Sequence, residues 1–198
     1  MFAAQIYIAS SEAFWYFLGM RQSSRVSPTK TFNNHFFCVD RRFYLTDIEN
    51  VVGGIPKCQR QVAWAEEALA QTIAPRPGDH LVIGVSHASL LMTGTGWMGP
   101  RRVLEPRSGP DGADHALLDV LSGENIVDRF PHVVLVSGDG IFSESIAEIG
   151  RAGVRTTIVA RRRSLSRRLH MAAHEVLYLP DPPSFPGDFL PPAHQQSA

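Results

Sequence analysis

Three aspartates in this chain stand where their carboxylates could hold a divalent cation. Asp47 ends the apolar run 43–46, Asp139 follows the run 133–136 after two small residues, and Asp114 begins a helical pattern after a glycine-rich stretch. Crowded carboxylates repel one another unless a cation neutralises them, and such hard oxygen ligands suit Mg²⁺ or Mn²⁺. A metal held there can activate water and stabilise a phosphoryl transition state. For any one of these aspartates a helix cap or a turn is the simpler interpretation, and only the group of three favours a metal site.

Apolar runs that alternate with helical patterns predict the framework that must position these acids. Strands separated by helices indicate a parallel sheet with helices on both faces. Right-handed crossovers then align the carboxyl ends of the strands along one edge, where ligands bind in such sheets. We therefore predict a single three-layer α/β domain whose central, mostly parallel sheet has about five strands. The predicted strands are 43–45, 81–85, 133–136, 155–159 and 175–179, and the predicted helices are 59–73, 113–121, 144–152 and 166–173.

The folded domain is predicted to occupy residues 41–179. A hydrophobic share of 44% with 19% charged residues is typical of a globular chain. Residues 1–40 lack a clear hydrophobic period and are expected to form an N-terminal extension or linker, without the features of a signal peptide or a membrane span. Residues 180–198 contain six prolines and are expected to form a disordered tail. The two cysteines, Cys38 and Cys58, have no paired spacing, which favours a reducing, cytoplasmic location.

One segment carries a strong local positive charge, although the formal net charge of the chain is zero. Residues 151–168 contain seven arginines and no acid. Some of these arginines follow a predicted strand and should lie at the same edge as the acids, where they could hold RNA phosphates. The alternative is a solvated arginine run near a helix start. The arginines predicted to bind RNA are Arg161, Arg162, Arg163, Arg167 and Arg168.

Three segments resemble the motifs of the NYN family, which belongs to the PIN-like nuclease group. Residues 46–50 (TDIEN) resemble its first motif, residues 112–117 (GADHAL) its second acidic motif, and residues 133–142 (VVLVSGDGIF) its central motif. The SGDG element is the most specific of these, and the resemblance extends over about residues 41–179.

This resemblance implies a PIN-like fold and metal-dependent cleavage of RNA, so the chain is expected to be an Mg²⁺- or Mn²⁺-dependent endoribonuclease. Asn50 would form a hydrogen bond with a ligand or substrate group. The residues that the resemblance implies as metal ligands are Asp47, Asp114 and Asp139.

The chain departs from the family pattern at two positions. Ile141 stands where the family has a second aspartate in its central motif, and His174 stands where it often has one before the last strand. A lost carboxylate weakens a site for a hard cation. Asp119 and Glu144 are possible substitutes, although solvated helix positions are the simpler interpretation of both. The alternative function is therefore a catalytically weak or inactive RNA-binding or regulatory module, with a homo-oligomer or a protein partner left open.

Other patterns are weaker. Residues 94–99 match GxGxxG, but Pro100 follows at once, so a flexible glycine loop is expected there; Trp97 within it could stack on a base or pack in the core. Residues 84–88 (GVSHA) lack the last glycine of a nucleophile elbow. A haloacid dehalogenase-type phosphatase also has GDG after a strand, but its paired-aspartate motif is missing here because Ile48 and Glu49 follow Asp47.

Overall fold

Six parallel strands form the central sheet, in the order β3-β2-β1-β4-β5-β6. The structure is a computed structural model that describes residues 41–107, 109 and 111–185. It confirms a single α/β domain with a parallel sheet. The sheet has six strands where about five were predicted, because β3 has only two residues and is too short to give a periodic signal. The strands are β1 (Arg42–Asp47), β2 (His80–Gly84), β3 (Arg102–Val103), β4 (His132–Val136), β5 (Arg155–Arg161) and β6 (Glu175–Leu179).

Seven α-helices connect the strands within the described residues. The four predicted helices are present, whereas the short helices α1, α3 and α5 were not predicted. The glycine-rich segment is not a flexible loop as expected: Gly94 and Gly96 belong to α3, and Trp97 packs in the core with 3% of its surface exposed. The helices are α1 (Ile48–Val52), α2 (Gln59–Thr72), α3 (Leu90–Gly96), α4 (Gly112–Gly123), α5 (Ile126–Arg129), α6 (Ser143–Arg151) and α7 (Arg167–Ala172).

Each face of the sheet carries its own hydrophobic core, because successive side chains of a strand point to opposite faces. Leu45 and Leu135 belong to the core beneath α4, α6 and α7, which we call the α6 face. Tyr44 and Val134 belong to the core beneath α1 and α2, which we call the α2 face. The three layers expected from the alternating strands and helices are therefore present.

The segments on either side of the predicted domain are described only in part. The predicted extension, residues 1–40, and the tail beyond residue 185 lie outside the described residues. Residues 180–185 follow β6 without forming a helix or strand. No helix in the described part of the chain is both long enough and apolar enough to span a membrane.

Candidate active site

The strand order reverses between β1 and β4. These two strands are neighbours, with Thr46 opposite Val136 in the register. The chain leaves β1 through helices on the α2 face and leaves β4 through α6 on the opposite face. Such a topological switch point opens a crevice beyond the carboxyl ends of the strands, which is where open parallel sheets bind their ligands. The acids predicted from the sequence border this crevice.

Asp47 is the last residue of β1, and its carboxylate is held in place through both oxygens. Its Oδ1 accepts a hydrogen bond of 3.1 Å from the backbone N–H of Asn50, so Asp47 caps α1 as aspartate commonly does. Its Oδ2 accepts a hydrogen bond of 3.1 Å from the hydroxyl of Ser137. Only 5% of the residue is exposed. Burial raises the pKa of Asp47, against the two hydrogen bonds, which lower it.

Asp114 reaches the same place from α4. Gly84, the last residue of β2, allows α4 to pack closely, since a Cβ at that position would lie 2.7 Å from the side chain of Leu117 and 3.0 Å from the carbonyl oxygen of Ala113. The first turn of α4, which carries Asp114, is thereby held against the strand ends.

The carboxyl group of Asp114 lies beside that of Asp47. Burial, followed by the charges of Asp47 and Asp139, raises the pKa of Asp114 to about 7. Its Oδ1 is buried and has no hydrogen-bond partner among the described residues. Because both carboxylates only accept hydrogen bonds when ionised, the pair is satisfied by a shared proton or by a cation.

Asp139 is exposed at the rim of the crevice. Its Oδ1 accepts a hydrogen bond of 2.9 Å from the backbone N–H of Ile141 and caps the short 3₁₀ helix Gly140–Phe142. Its own N–H donates to Oγ of Ser137, at 3.2 Å. Its charge acts on Asp114, as the raised pKa of that residue records.

Two carboxylates, rather than three, therefore form the centre of the crevice. Among the described residues, no three His, Cys, Asp or Glu side chains are grouped so that they could hold a metal ion. The buried pair Asp47 and Asp114, with an oxygen that lacks a donor, still fits Mg²⁺, which proteins often bind through one or two carboxylates with water and substrate phosphates as the other ligands. The metal roles of Asp47, Asp114 and Asp139 stay predictions.

Asn50 connects the loops that follow three strands. Its Oδ1 accepts hydrogen bonds from the backbone N–H of Gly138, at 3.0 Å, and from the hydroxyl of Ser164, at 3.3 Å. Its carbonyl oxygen accepts a hydrogen bond of 3.1 Å from Nε of Arg161. The side-chain oxygen of Asn50 is thus used within the protein, and the expected hydrogen bond of Asn50 to a ligand stays a prediction. Gly138 is needed at this junction because a Cβ there would lie 2.4 Å from the carbonyl oxygen of Ser164.

Two residues that hold the strand-end loops in place were missed by the sequence reasoning. Ser137 bonds to both Asp47 and Asp139, and its place in the SGDG motif was the available signal. Glu49 accepts hydrogen bonds from the hydroxyl of Ser89, at 2.7 Å, and from the backbone N–H of Ser86, at 3.3 Å, and so ties α1 to the loop after β2. No local pattern pointed to that contact, which spans 40 positions.

The predicted RNA-binding arginines occupy different environments. Arg161 is committed to the fold through Asn50, and its guanidinium also lies against Gly53. Arg162 stacks on the ring of Tyr178, with 4.0 Å from its guanidinium carbon to the ring centroid. The exposed members beyond this pair are Arg163, Arg167 and Arg168, which lie in the loop after β5 and at the start of α7.

The two departures from the family pattern lie at opposite ends of the strands. Ile141 follows the carboxyl end of β4, and His174 precedes the amino end of β6. Ile141 is beside Asp139 and is 36% exposed. The Nδ1 of His174 lies 2.8 Å from Oγ1 of Thr156. The residue type at position 174 therefore has no direct bearing on the crevice carboxylates. Asp119 pairs with Arg107 on the surface and Glu144 is exposed, so neither replaces a missing ligand.

Fold and site together define a doubly wound parallel α/β protein with an acidic crevice at its switch point. The chain matches no protein-family model, and no curated protein matches it. Among solved structures it is similar to a protein of unknown function from Vibrio parahaemolyticus, with 17% identity and a TM-score of 0.47 over 73% of this chain and 96% of that chain.

Proposed function

We propose that this chain is a metal-dependent endoribonuclease of the NYN type that hydrolyses phosphodiester bonds of RNA. The observation that carries the proposal is the buried carboxyl pair of Asp47 and Asp114 in the switch-point crevice, with an Asp114 oxygen that has no hydrogen-bond donor among the described residues. Two buried carboxylates side by side are costly without a compensating cation. A buried carboxyl pair at the topological switch point supports a role in binding a cation.

Asp47 and Asp114 would hold Mg²⁺ or Mn²⁺, with Asp139 at the open rim. The bound ion would supply an activated water molecule and neutralise charge on the scissile phosphate. The chain itself orients the ligands: the Ser137 hydroxyl and the Asn50 N–H fix both oxygens of Asp47 before anything binds. Preorganised ligands of this kind lose little conformational freedom on binding.

The RNA would be held by arginines at the same edge of the sheet. Arg163, Arg167 and Arg168 are exposed there, and guanidinium groups bind phosphates through a planar pair of donors. A zero net charge makes this local patch the source of attraction for a polyanion. Cys58 is a free thiol, which fits the proposed cytoplasmic location.

A catalytically weak or inactive RNA-binding module is the second candidate. It is favoured by Asp139, whose carboxylate caps a 3₁₀ helix, and by Ile141, which supplies no further ligand at the rim. RNA would then bind at the same edge without being cleaved.

A cleavage assay with end-labelled RNA, Mg²⁺ or Mn²⁺ titration and an EDTA control separates the two candidates. We expect Asp139→Asn to abolish cleavage and keep the fold, because it removes a charge from the rim and preserves shape. Asp119→Asn is the matched control, since it makes the same substitution at an exposed aspartate whose ion pair lies on the surface and contributes little to stability. Cleavage by Asp139→Asn at the wild-type rate would show that the activity belongs to another site or to a contaminant, and RNA binding without cleavage at any metal concentration would favour the second candidate.

A further inference from the structure

Tyr178 lies in the same row of the sheet as Asp47, on the same face. Alternate residues of a strand share a face. The register joins Leu45, Leu135, Ile158 and Val176 across β1, β4, β5 and β6. Two residues further toward the carboxyl ends, the row consists of Asp47, Ser137, Ala160 and Tyr178.

The two ends of this row are separated by three strand spacings, or about 14 Å. Asp114 covers the Asp47 end from α4, on the α6 face. Tyr178 occupies the other end on β6, the outermost strand, with 38% of its surface exposed. The carboxyl pair and the tyrosine therefore lie on the same face, at the two ends of a row whose middle residues, Ser137 and Ala160, are buried.

The guanidinium of Arg162 lies over the ring of Tyr178. The guanidinium carbon is 4.0 Å from the ring centroid, within the range of a close cation–π contact. Arg162 is itself exposed, so the stacked pair presents a planar, positively charged surface at the edge of the sheet. Arg163, the next residue, is also exposed and adds a second positive charge beside the pair.

We propose that Arg162 and Tyr178 form a subsite on which an unpaired base of the bound RNA stacks. The proposal rests on the proposed function and adds a specific base contact to it. Unpaired RNA bases stack on aromatic rings and on guanidinium planes, whereas bases within a duplex are not available for such contacts. A span of about 14 Å places the stacked base a few nucleotides from the phosphate bound at Asp47 and Asp114.

The contact between Arg162 and Tyr178 also has a purely structural explanation, because charged side chains commonly protect an edge strand from pairing. The two explanations differ in one measurable respect. If the pair is a stacking subsite, a variant that disrupts it loses affinity only for RNA that carries a base at that position. If the pair has only a structural role, such a variant loses affinity for all RNA ligands alike.

The test compares how variants of Arg162 and Tyr178 bind RNA strands with and without bases. Fluorescence anisotropy in EDTA, where no metal-dependent cleavage occurs, measures affinity for a short oligoadenylate and for the same backbone with abasic nucleotides. We expect Tyr178→Ala to weaken binding of the oligoadenylate by about 5- to 150-fold and binding of the abasic strand hardly at all. Tyr178→Phe should bind as the wild type does, and Arg162→Lys should lose affinity because lysine keeps the charge without the plane.

Met171→Ala is the matched control, since Met171 is 75% exposed on α7 and lies outside the row. Equal losses on intact and abasic strands, unchanged affinity in Tyr178→Ala, or no oligoadenylate binding by the wild type would each overturn the subsite. If Tyr178→Ala does not fold, Arg162→Lys carries the comparison of intact and abasic strands, with Tyr178→Phe as the variant expected to bind as the wild type does. Metal-dependent cleavage with no stacking effect leaves the nuclease standing without this subsite. A stacking effect without cleavage supports the subsite in an RNA-binding module.

Discussion

The hydroxyl of Ser137 donates a hydrogen bond of 3.1 Å to Oδ2 of Asp47, across 90 positions of sequence. The bond joins the ends of β1 and β4, the two strands between which the sheet reverses its order. It also fixes the carboxylate that faces Asp114. Several properties of the crevice depend on this arrangement and can be measured.

We expect Asp114→Asn to stabilise the protein at alkaline pH. The pKa of Asp114 is raised from 3.8 to about 7, so between these values the folded protein keeps a proton that the unfolded chain has released. The free energy of unfolding of the wild type therefore falls as pH rises from about 4 to about 7. The asparagine side chain of the variant carries no such charge and can donate a hydrogen bond to Asp47.

Urea unfolding at pH 5, 6.5 and 8 tests this expectation. The variant should exceed the wild type at pH 8 by an amount on the order of a few kcal/mol, and the difference should shrink at pH 5. A difference that grows toward acidic pH would contradict the proposed interaction between the two carboxyls. Asp119→Asn, on the surface, should show little change at either pH.

Binding of Mn²⁺ should tighten as pH rises through the pKa of Asp114. A metal ligand must be deprotonated, and a group with a pKa of about 7 is about tenfold more ionised at pH 8 than at pH 6. We therefore expect about a tenfold gain in affinity over this interval, measured by titration calorimetry in metal-free buffers. Loss of this gain in Asp114→Asn would support the assignment, and equal affinity of the wild type at both pH values would argue against Asp114 as a ligand.

Ile141→Asp should fold and should bind Mn²⁺ more tightly. Ile141 is 36% exposed beside Asp139, so the new carboxylate enters water rather than the core. One more hard oxygen ligand at the rim favours a divalent cation. Mn²⁺ affinity, cleavage rate and thermal midpoint measured on one preparation check this, with Ile141→Asn as the uncharged control. A folded Ile141→Asp variant with no gain over that control would show that the missing family aspartate does not limit the site.

Gly138→Ala should destabilise the protein by about 1–3 kcal/mol. Its Cβ would lie 2.4 Å from the carbonyl oxygen of Ser164, which is backbone and cannot rotate away. Gly94→Ala is the control, because a Cβ at that helical position meets no atom within 4 Å, and should be neutral or stabilising by about 0.5–1 kcal/mol. Denaturant midpoints of the two variants compare them directly, and equal midpoints would refute the tight junction.

Asn50→Ala should cost about 1–3 kcal/mol, because the N–H of Gly138 loses its acceptor. Asn50→Asp keeps an acceptor oxygen and should lose less. Thermal unfolding of the two variants distinguishes loss of the hydrogen bonds from loss of the amide group itself. An Asn50→Ala variant as stable as the wild type would mean that Asn50 does not hold the three loops together.

Much of the framework was determined by the sequence alone. Apolar runs such as 133–136 are local signals, and the alternation of strands and helices limits the topology to a parallel sheet with its strand ends on one edge. Asp47 and Asp139 could be placed at that edge because each follows its strand directly. Strand β3 could not be predicted, since two residues carry no period.

Only the tertiary structure decided which groups meet at the edge. Packing of α4 over Gly84 places Asp114 against Asp47, and it is this proximity, together with burial, that raises the pKa of Asp114. The side-chain oxygen of Asn50 accepts a hydrogen bond from the backbone N–H of Gly138. The backbone carbonyl of Asn50 accepts one from the side chain of Arg161. Each contact joins residues far apart in the chain, so its geometry depends on strand register and helix packing, which no local pattern of residue types encodes.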